Sequence, residues 1–400
     1  MVGHFKRYAF VLVLMIASSC NKYEISTQQK EAFIKYYPNE FIENKGINVI
    51  EVNQGRYVIL GNSLVNGSQG DHHDVMIIFT DEYGNQLDPS PVFLGTEGDD
   101  FGHSMIPADD GYIVAGSSEI NAIKTAYFVK FSTTGQVIWE KNYASYEEQE
   151  MSKIIESGDG GFMAVGYCVN DSAENNVYLM KINTMGDSLW TRMIGFTGSD
   201  DVGSSLIKSQ NRYVIVGAST SEATLNTNSR LAIFNTDLNG KNVTSTRIAG
   251  DYDLEGGDII LDSKGDIIVM GNQFVPFSSE RQIYLGQITL GGTSNELINI
   301  GNSQFMNSSG SFYGEQMIPL ESGSLAIAGW RSRQNDIDIL FAIVDQNFQF
   351  VTLNFFGASG YQAIFGLTHG WDEGFILTGS AEIAGSKSCM LMKLDAAGEF

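Results

Sequence analysis

The hydrophobic positions of this chain fall into short runs of β-forming residues, and seven of these runs end in a glycine. The runs occupy residues 57–61, 112–116, 162–166, 213–217, 267–271, 325–329 and 375–379. Their closing glycines are separated by 55, 50, 51, 54, 58 and 50 residues. A period of this length in a β-rich sequence is typical of repeated sheets.

Each period contains three further β-forming runs, which are separated by turn residues. After the glycine-closed run at 112–116, for example, come runs at 126–131, 136–143 and 153–155, with Gly135 as a turn signal. Four strands joined by hairpins make one blade of a propeller. The sequence therefore predicts an all-β fold, a seven-bladed β-propeller of four-stranded antiparallel blades.

The two ends of the repeat array are complementary. The last repeat stops at Gly398-Glu-Phe400 and lacks a fourth strand, whereas residues 31–37 form an isolated β run. Phe33 lies 28 residues before Gly61, and Trp139 and Trp190 lie 27 residues before their own closing glycines. We expect residues 31–37 to supply the outer strand of the last blade, which closes the ring and protects its edges. The propeller domain is predicted at residues 31–400.

The first residues have the composition of an export signal. Lys6 and Arg7 precede an apolar stretch at 8–16, and the small residues 17–19 lead into Cys20. Nine apolar residues are too few for a permanent transmembrane helix, which favours a cleaved signal. The alternative to a lipidation signal is an ordinary secretory signal that contains a cysteine.

This segment resembles the lipobox of bacterial lipoproteins. The resemblance implies a signal peptide at 1–19, lipidation of Cys20 and a tether at 20–30. It also implies export and a lipid anchor in the envelope of a Gram-negative bacterium. Asn21 differs from the aspartate that retains lipoproteins in the inner membrane, which favours the outer membrane.

The repeats resemble the kelch-like propeller repeats of exported bacterial proteins. The shared pattern is D-G-G-[YF]-x-x-x-G, then [YF]-[LFV]-x-K, then G-x-x-x-W, and residues 110–116 and 159–166 match its first part closely. Repeats four to six depart from it, with Arg212 at a glycine position. The resemblance implies the fold of residues 31–400 but hardly restricts the activity, because propellers host enzymes, lectins and scaffolds.

The charge of the chain narrows the class of partner. The formal net charge is −23, which argues against binding to the phosphate backbone of nucleic acid. We expect a membrane contact through the anchor at Cys20, together with an envelope protein or a glycan as partner.

Acidic residues recur in the connections between one repeat and the next. They are Asp99, Asp100, Glu147, Glu148, Asp200, Asp201, Asp251 and Asp253. Such a face is a candidate for Ca²⁺ or for a basic partner, and the alternative is a set of solvated polar turns. The spacing of known calcium loops is absent, so no cofactor is expected.

Two further motifs are candidate sites. His72 and His73 lie between two aspartates and are a candidate for a transition metal, although adjacent residues of a strand point to opposite sides; we expect no metal site there. Trp330, Arg331 and Arg333 form the best candidate ligand site, because tryptophan with arginine suits a sugar or a peptide.

Nucleophile-elbow, phosphate-loop and zinc-helix patterns are absent from the sequence, and no catalytic residue is assigned. We therefore favour a non-catalytic binding or scaffold module for a protein or glycan. The alternative is a carbohydrate-active hydrolase or lyase whose carboxylates converge near the central channel.

Overall fold

The structure is a computed structural model, and it describes residues 32–38, 43–53, 55–68, 70–221, 229–248, 253–274, 280–290, 295–299, 310–334 and 336–400. Every regular element in these ranges is a strand. Within the same ranges, no helix is long and apolar enough to cross a bilayer.

Seven antiparallel sheets of four strands make up the fold, as the repeat predicts. Blade 1 consists of β2 (Asn44–Val52), β3 (Arg56–Gly67), β4 (Gly70–Phe79) and β5 (Val92–Leu94). Blade 2 consists of β6 (Asp100–Ala108), β7 (Gly111–Ile120), β8 (Ile123–Ser132) and β9 (Val137–Tyr143). Blade 3 consists of β10 (Gln149–Glu156), β11 (Phe162–Val169), β12 (Asn175–Ile182) and β13 (Ser188–Ile194).

The second half of the ring repeats this order. Blade 4 consists of β14 (Ser199–Ser209), β15 (Arg212–Ser221), β16 (Ser229–Asp237) and β17 (Thr244–Arg247). Blade 5 consists of β18 (Leu254–Leu261), β19 (Ile267–Phe274), β20 (Arg281–Leu290) and β21 (Asn295–Asn299). Blade 6 consists of β22 (Ser311–Pro319), β23 (Leu325–Arg333), β24 (Asp336–Val344) and β25 (Phe350–Phe356). Blade 7 consists of β26 (Gln362–His369), β27 (Phe375–Ile383), β28 (Ser386–Leu394) and β1 (Phe33–Tyr37).

The N-terminal strand closes the ring in the predicted register. β1 pairs antiparallel with β28, and Phe33 lies opposite Lys393. In blades 2 and 3, Trp139 and Trp190 lie opposite the equivalent lysines, Lys130 and Lys181. The prediction that residues 31–37 complete the last blade is confirmed for β1.

The hydrophobic core is divided into seven clusters, one at each contact between neighbouring blades. The second and third strands of every blade contribute most of these residues. Cys168 and Cys389 are free and buried in two of the clusters, as expected for small core residues. Because the core lies between blades, the centre of the ring is left to the inner strands β2, β6, β10, β14, β18, β22 and β26.

An ion pair accounts for the repeated aspartate and lysine. Lys130, Lys181 and Lys393 on the third strands bind Asp110, Asp159 and Asp372 in the hairpins between the first two strands. In blade 4 the lysine position holds Asn235, and the Arg212 guanidinium donates a hydrogen bond to its side-chain oxygen (3.0 Å). In blade 4 the cation of this contact is therefore Arg212 on the second strand, and the residue on the third strand is neutral.

Candidate functional site

Every inner strand contains a β-bulge at the same position of the repeat. The bulged residues, one per blade, are Ile47, His103, Ser152, Ser204, Gly257, Glu315 and Phe365. A bulge adds one unpaired residue and redirects its side chain. All seven residues line a central cavity of about 260 Å³.

The closing glycines of the sequence pattern explain where the bulges form. A methyl group on Gly116 would overlap the carbonyl oxygen of Phe101, and one on Gly166 would overlap that of Glu150. At each closing glycine, the atom overlapped is the carbonyl oxygen of the residue two positions before the bulge. The glycine therefore permits the close approach of backbones on which the bulge depends.

The cavity lies at the centre of the ring, and one of the two faces of the ring is called the front face. It is the face where the inner strands begin; most lining residues come from the middle of these strands, and Lys45 and Glu150 lie close to their beginnings. Besides the seven bulged residues, the lining consists of Lys45, Asn48, Ser104, Glu150, Lys153, Ser205, Asp258 and Gln316.

The residues that directly follow the bulges join one blade to the next. The Ile154 N–H donates to Ser104 Oγ (3.3 Å), and the Leu367 N–H donates to Gln316 Oε1 (2.9 Å). Asp258 accepts from Ser205 Oγ (2.8 Å) on one oxygen and from the Met317 N–H (3.1 Å) on the other. These four hydrogen bonds hold neighbouring blades together, whereas Lys153, which also follows a bulge, takes part in none of them.

A connected polar group lies where blades 2 and 3 meet. Glu150 contacts His103 Nε2 at 3.4 Å and Lys124 Nζ at 3.1 Å, and Lys124 also donates to Tyr167 Oη (3.2 Å). Burial lowers the pKa of His103, although Glu150 opposes this shift. Burial and the Glu150 charge raise the pKa of Tyr167. At neutral pH this group therefore contains an uncharged imidazole beside a protonated phenol.

A second polar group lies across blades 6, 7 and 1. Trp330 Nε1 donates to Glu315 Oε1 (2.7 Å), and the Trp330 ring stacks on Tyr313 with centroids 3.7 Å apart. The Lys45 amine lies 3.6 Å from the ring centroid of Phe365, a cation–π contact. Burial raises the pKa of Glu315, against the effects of Trp330 and Lys45.

The lysines of the cavity lack ion-pair partners among the described residues, whereas the carboxylates already have ion-pair or hydrogen-bond partners. Lys45 and Lys153 have no described carboxylate within 4.0 Å. In contrast, Glu150 contacts the Lys124 amine and the His103 imidazole, Asp258 accepts on both oxygens, and Glu315 accepts from an indole. The cavity therefore offers two lysines to an anion, in a protein with a net charge of −23.

The acidic residues predicted from sequence mostly bind backbone in the turns of the front face. Asp100 accepts from the Thr96 N–H (2.5 Å) and Asp201 from the Phe196 N–H (2.6 Å). Asp99, Asp200 and Asp253 accept from the backbone N–H groups of His73, Asn175 and Ser229, at the start of the preceding blade's third strand. Glu147 and Glu148 are exposed, and Asp251 lies outside the described residues.

The two adjacent histidines have separate partners. His72 Nε2 lies 3.4 Å from Asp74, and His73 Nδ1 lies 3.1 Å from Asp99. Among the residues that the structure describes, no group of three or more His, Cys, Asp or Glu side chains is arranged to hold a metal ion.

The three residues of the predicted Trp330 site have separate surroundings. Arg331 forms a half-buried ion pair with Asp338 (2.6 Å) and lies over Phe355, whereas Arg333 is exposed at the end of β23. Trp330 lies beside the central cavity through its bond to Glu315. Cys20 lies outside the described residues.

The sequence analysis did not select Lys45, His103, Glu150, Lys153 or Glu315 as site residues. A usable signal exists, because each bulged residue lies 13 or 14 residues before the closing glycine of its blade. Counting back from the glycines therefore identifies the ring without a structure.

Comparison with known proteins supports the fold alone. No protein-family model and no curated protein matches the chain. Among solved structures, a polysaccharide lyase of family PL25, described as an ulvan lyase, is similar at a TM-score of 0.58 and 10% identity, over 90% of this chain and 96% of that one. The polysaccharide lyase Uly1 has a TM-score of 0.53 at 11% identity, over 94% of both chains. Hydrazine synthase of Kuenenia stuttgartiensis has a TM-score of 0.57 at 10% identity, over 89% and 97%.

Proposed function

We propose that the protein binds an acidic saccharide in its central cavity. The observation that carries this proposal is the presence of Lys45 and Lys153 in the cavity without a carboxylate partner, while the cavity carboxylates are already engaged. A carboxylate or sulfate group of a sugar would supply the missing anion through charge-assisted hydrogen bonds.

The aromatic residues around the lysines favour a sugar over a simple anion. Phe365 lines the cavity, and Trp330, Tyr313 and Tyr167 lie beside its charged residues. Aromatic rings present flat apolar faces to the C–H groups of a sugar ring. At about 260 Å³ the cavity is slightly smaller than the ~300 Å³ lower bound of typical ligand sites, which suits one charged residue of a glycan.

We further propose that this module is exported and held at the outer membrane through a lipidated Cys20, after removal of residues 1–19, with 20–30 as a tether. The proposal rests on the sequence of the N-terminus.

An acidic propeller repels long polyanions at low salt, which favours short acidic oligosaccharides or chain ends as ligands.

A polysaccharide lyase is the second candidate, favoured by the contrast between His103 and Tyr167. Neutral His103 would take the C5 proton of a uronate, Tyr167 would give a proton to the departing O4, and a C4–C5 double bond would form as C4–O4 breaks. Hydrolysis is less favoured, because Glu150 and Glu315 stand on blades 3 and 6, with two or more blades between them on either side of the ring. The lyases of similar fold are consistent with this candidate.

The test is calorimetric titration of residues 32–400 with a trimer of glucuronic acid and with a neutral trisaccharide. We expect binding of the acidic trimer only. Lys45→Met and Lys153→Met should each weaken it by roughly ten- to a hundredfold, because a hydrogen bond to a charged group contributes about 1.5–3 kcal/mol. Lys141→Met, on the outer strand β9, is the matched control and should bind as the unmodified protein does.

Equal binding of the neutral sugar, or full affinity in both cavity variants, would contradict the proposal. Incubation with uronate polysaccharides, ulvan among them, tests the second candidate through the ultraviolet absorbance of an unsaturated product. Product formation that is lost in His103→Gln and Tyr167→Phe would identify a lyase, whereas binding without product would leave a non-catalytic module.

A further inference from the structure

The Lys45 amine and the Glu315 carboxyl group belong to blades 1 and 6, the two neighbours of blade 7, which carries Phe365. Glu315 is the bulged residue of blade 6, Phe365 that of blade 7, and Lys45 precedes the bulge of blade 1. Lys45 lies against Phe365 at 3.6 Å from the ring centroid, and its charge acts on Glu315 without a contact inside 4.0 Å. The two charges thus act on each other without forming an ion pair.

The orientation of Glu315 is fixed independently of Lys45. The indole N–H of Trp330 holds Oε1 at 2.7 Å, and Trp330 is itself fixed by stacking on Tyr313. The second oxygen of the carboxyl group is left for a proton or for a donor in the cavity. Glu315 can therefore change its protonation state without losing its position.

We propose that Lys45, Phe365 and Glu315 form a proton-linked site for the carboxylate of an acidic sugar, in which Glu315 takes up one proton from solvent as the ligand carboxylate docks on Lys45. This inference rests on the proposed function and specifies how its site responds to pH. No covalent bond changes, and the single negative charge brought by the ligand is offset by the single proton bound.

The sign of the pH dependence follows from the charges. Burial already raises the pKa of Glu315 and lowers the pKa of Lys45. An added anion raises the pKa of every neighbouring group, so Glu315, Lys45 and His103 each bind more protons in the complex. Affinity is therefore highest below the pKa of free Glu315 and falls as the pH rises through the pKa of the bound state.

Other ionisable groups face this site from the neighbouring elements. On the bridge between blades 6 and 7, burial and nearby carboxylates raise the pKa of Tyr361 to about 12, so it remains uncharged. At the edge of blades 1 and 7, Lys387 and Glu43 form an ion pair (2.8 Å) with no net charge. His103 in blade 2 is influenced by Lys45 and Glu150 and has to be tested separately.

The experiment is calorimetry with the glucuronic acid trimer at several values between roughly pH 5 and 8, in buffers of different ionisation enthalpy, which counts the protons taken up. For the unmodified protein we expect proton uptake and an affinity that falls about tenfold for each unit by which binding raises the pKa of Glu315. Glu315→Gln should bind at neutral pH as tightly as the unmodified protein does at acid pH. Its proton uptake on binding should fall to the number of protons that His103 takes up. His103→Gln should still take up the protons that bind to Glu315.

Unchanged proton uptake in Glu315→Gln, with binding intact, overturns this inference and leaves the proposed function standing. No binding of the trimer at any pH overturns both. A carboxyl ¹³C NMR titration of the free protein gives an independent readout: a glutamate signal that titrates above the ordinary range and is missing from Glu315→Gln is expected. Titration of Glu315 in the ordinary range for glutamate would also overturn the inference. Circular dichroism and urea unfolding of each variant check that the fold is retained.

Discussion

At the scale of single residues, the closing glycines are required by packing against the inner strands. Each faces a backbone carbonyl oxygen so closely that no side chain fits. The glycine that makes the repeat visible in the sequence is therefore the residue that permits the bulge, and the bulge directs a side chain into the cavity. The closing glycines are therefore needed both for the fold and for the position of the candidate site residues.

Gly166→Ala tests this dependence. The new methyl group would overlap the Glu150 carbonyl oxygen and backbone atoms of Met151, which cannot move aside separately from the strand. We expect a loss of roughly 1–3 kcal/mol in the free energy of unfolding, the usual cost of overpacking, measured by urea denaturation. The displacement of Glu150 should also weaken ligand binding.

Gly257→Ala is the matched control, because a methyl group there meets its nearest atoms at 3.6 Å, an ordinary contact. Its stability should differ from that of the unmodified protein by less than about 0.5 kcal/mol. Equal losses in the two variants would show that glycine matters here through chain entropy and not through the approach of the strands.

At the scale of elements, a buried ion pair fixes the hairpin between the first two strands to the third strand. The pair of Lys393 and Asp372 in blade 7 is the most enclosed, with side chains 1% and 12% exposed. Breaking a buried pair costs more than replacing both partners, because a single remaining charge has no compensation.

Asp372→Asn should therefore destabilise the protein by about 3–5 kcal/mol, as it leaves the buried Lys393 ammonium without its counter-ion. The double variant with Lys393→Met should recover most of this loss. Urea denaturation of the two single variants and the double variant measures the coupling. Removing the exposed pair of Lys141 and Asp187 (39% and 60% exposed) should cost at most about 1 kcal/mol. Additive losses at 372 and 393 would contradict this account.

The sequence was sufficient for the elements but not for the side chains of the ring. Periodic glycines and β runs predict the seven blades, and the register of Phe33 predicts the closing strand. The bulged residues share no chemical property, since isoleucine, histidine, serine, glycine, glutamate and phenylalanine all occupy the position. Asp100 and Asp201 were selected from the sequence because they are charged. Their hydrogen bonds to backbone N–H groups cannot be recognised from a sequence.

At the scale of the whole molecule, stability depends on a closed ring in which every blade packs against two others. The blade 7–blade 1 cluster includes Tyr37 from β1, whose hydroxyl donates to the Gly84 carbonyl of blade 1 (2.8 Å). β1 is thus both the outer strand of blade 7 and a contact with blade 1.

A chain beginning at residue 38 should lose more than about 4 kcal/mol in unfolding free energy, beyond the range of ordinary point substitutions. It should also aggregate, because β28 becomes an unpaired edge. A chain beginning at residue 32 is the control and should remain monomeric in size-exclusion chromatography. Equal stability of the two chains would mean that ring closure does not depend on β1.

The direction of β1 has a consequence for access. Phe33 lies opposite Lys393 and Tyr37 opposite Cys389, so β1 runs antiparallel to β28, from the back of the ring toward the front. The first described residues of β1 therefore lie at the side of the ring opposite to the front face, where the inner strands begin. Under the proposed attachment through Cys20, a molecule diffusing in from solution would reach Lys45, near the start of β2, without passing between the protein and its anchor.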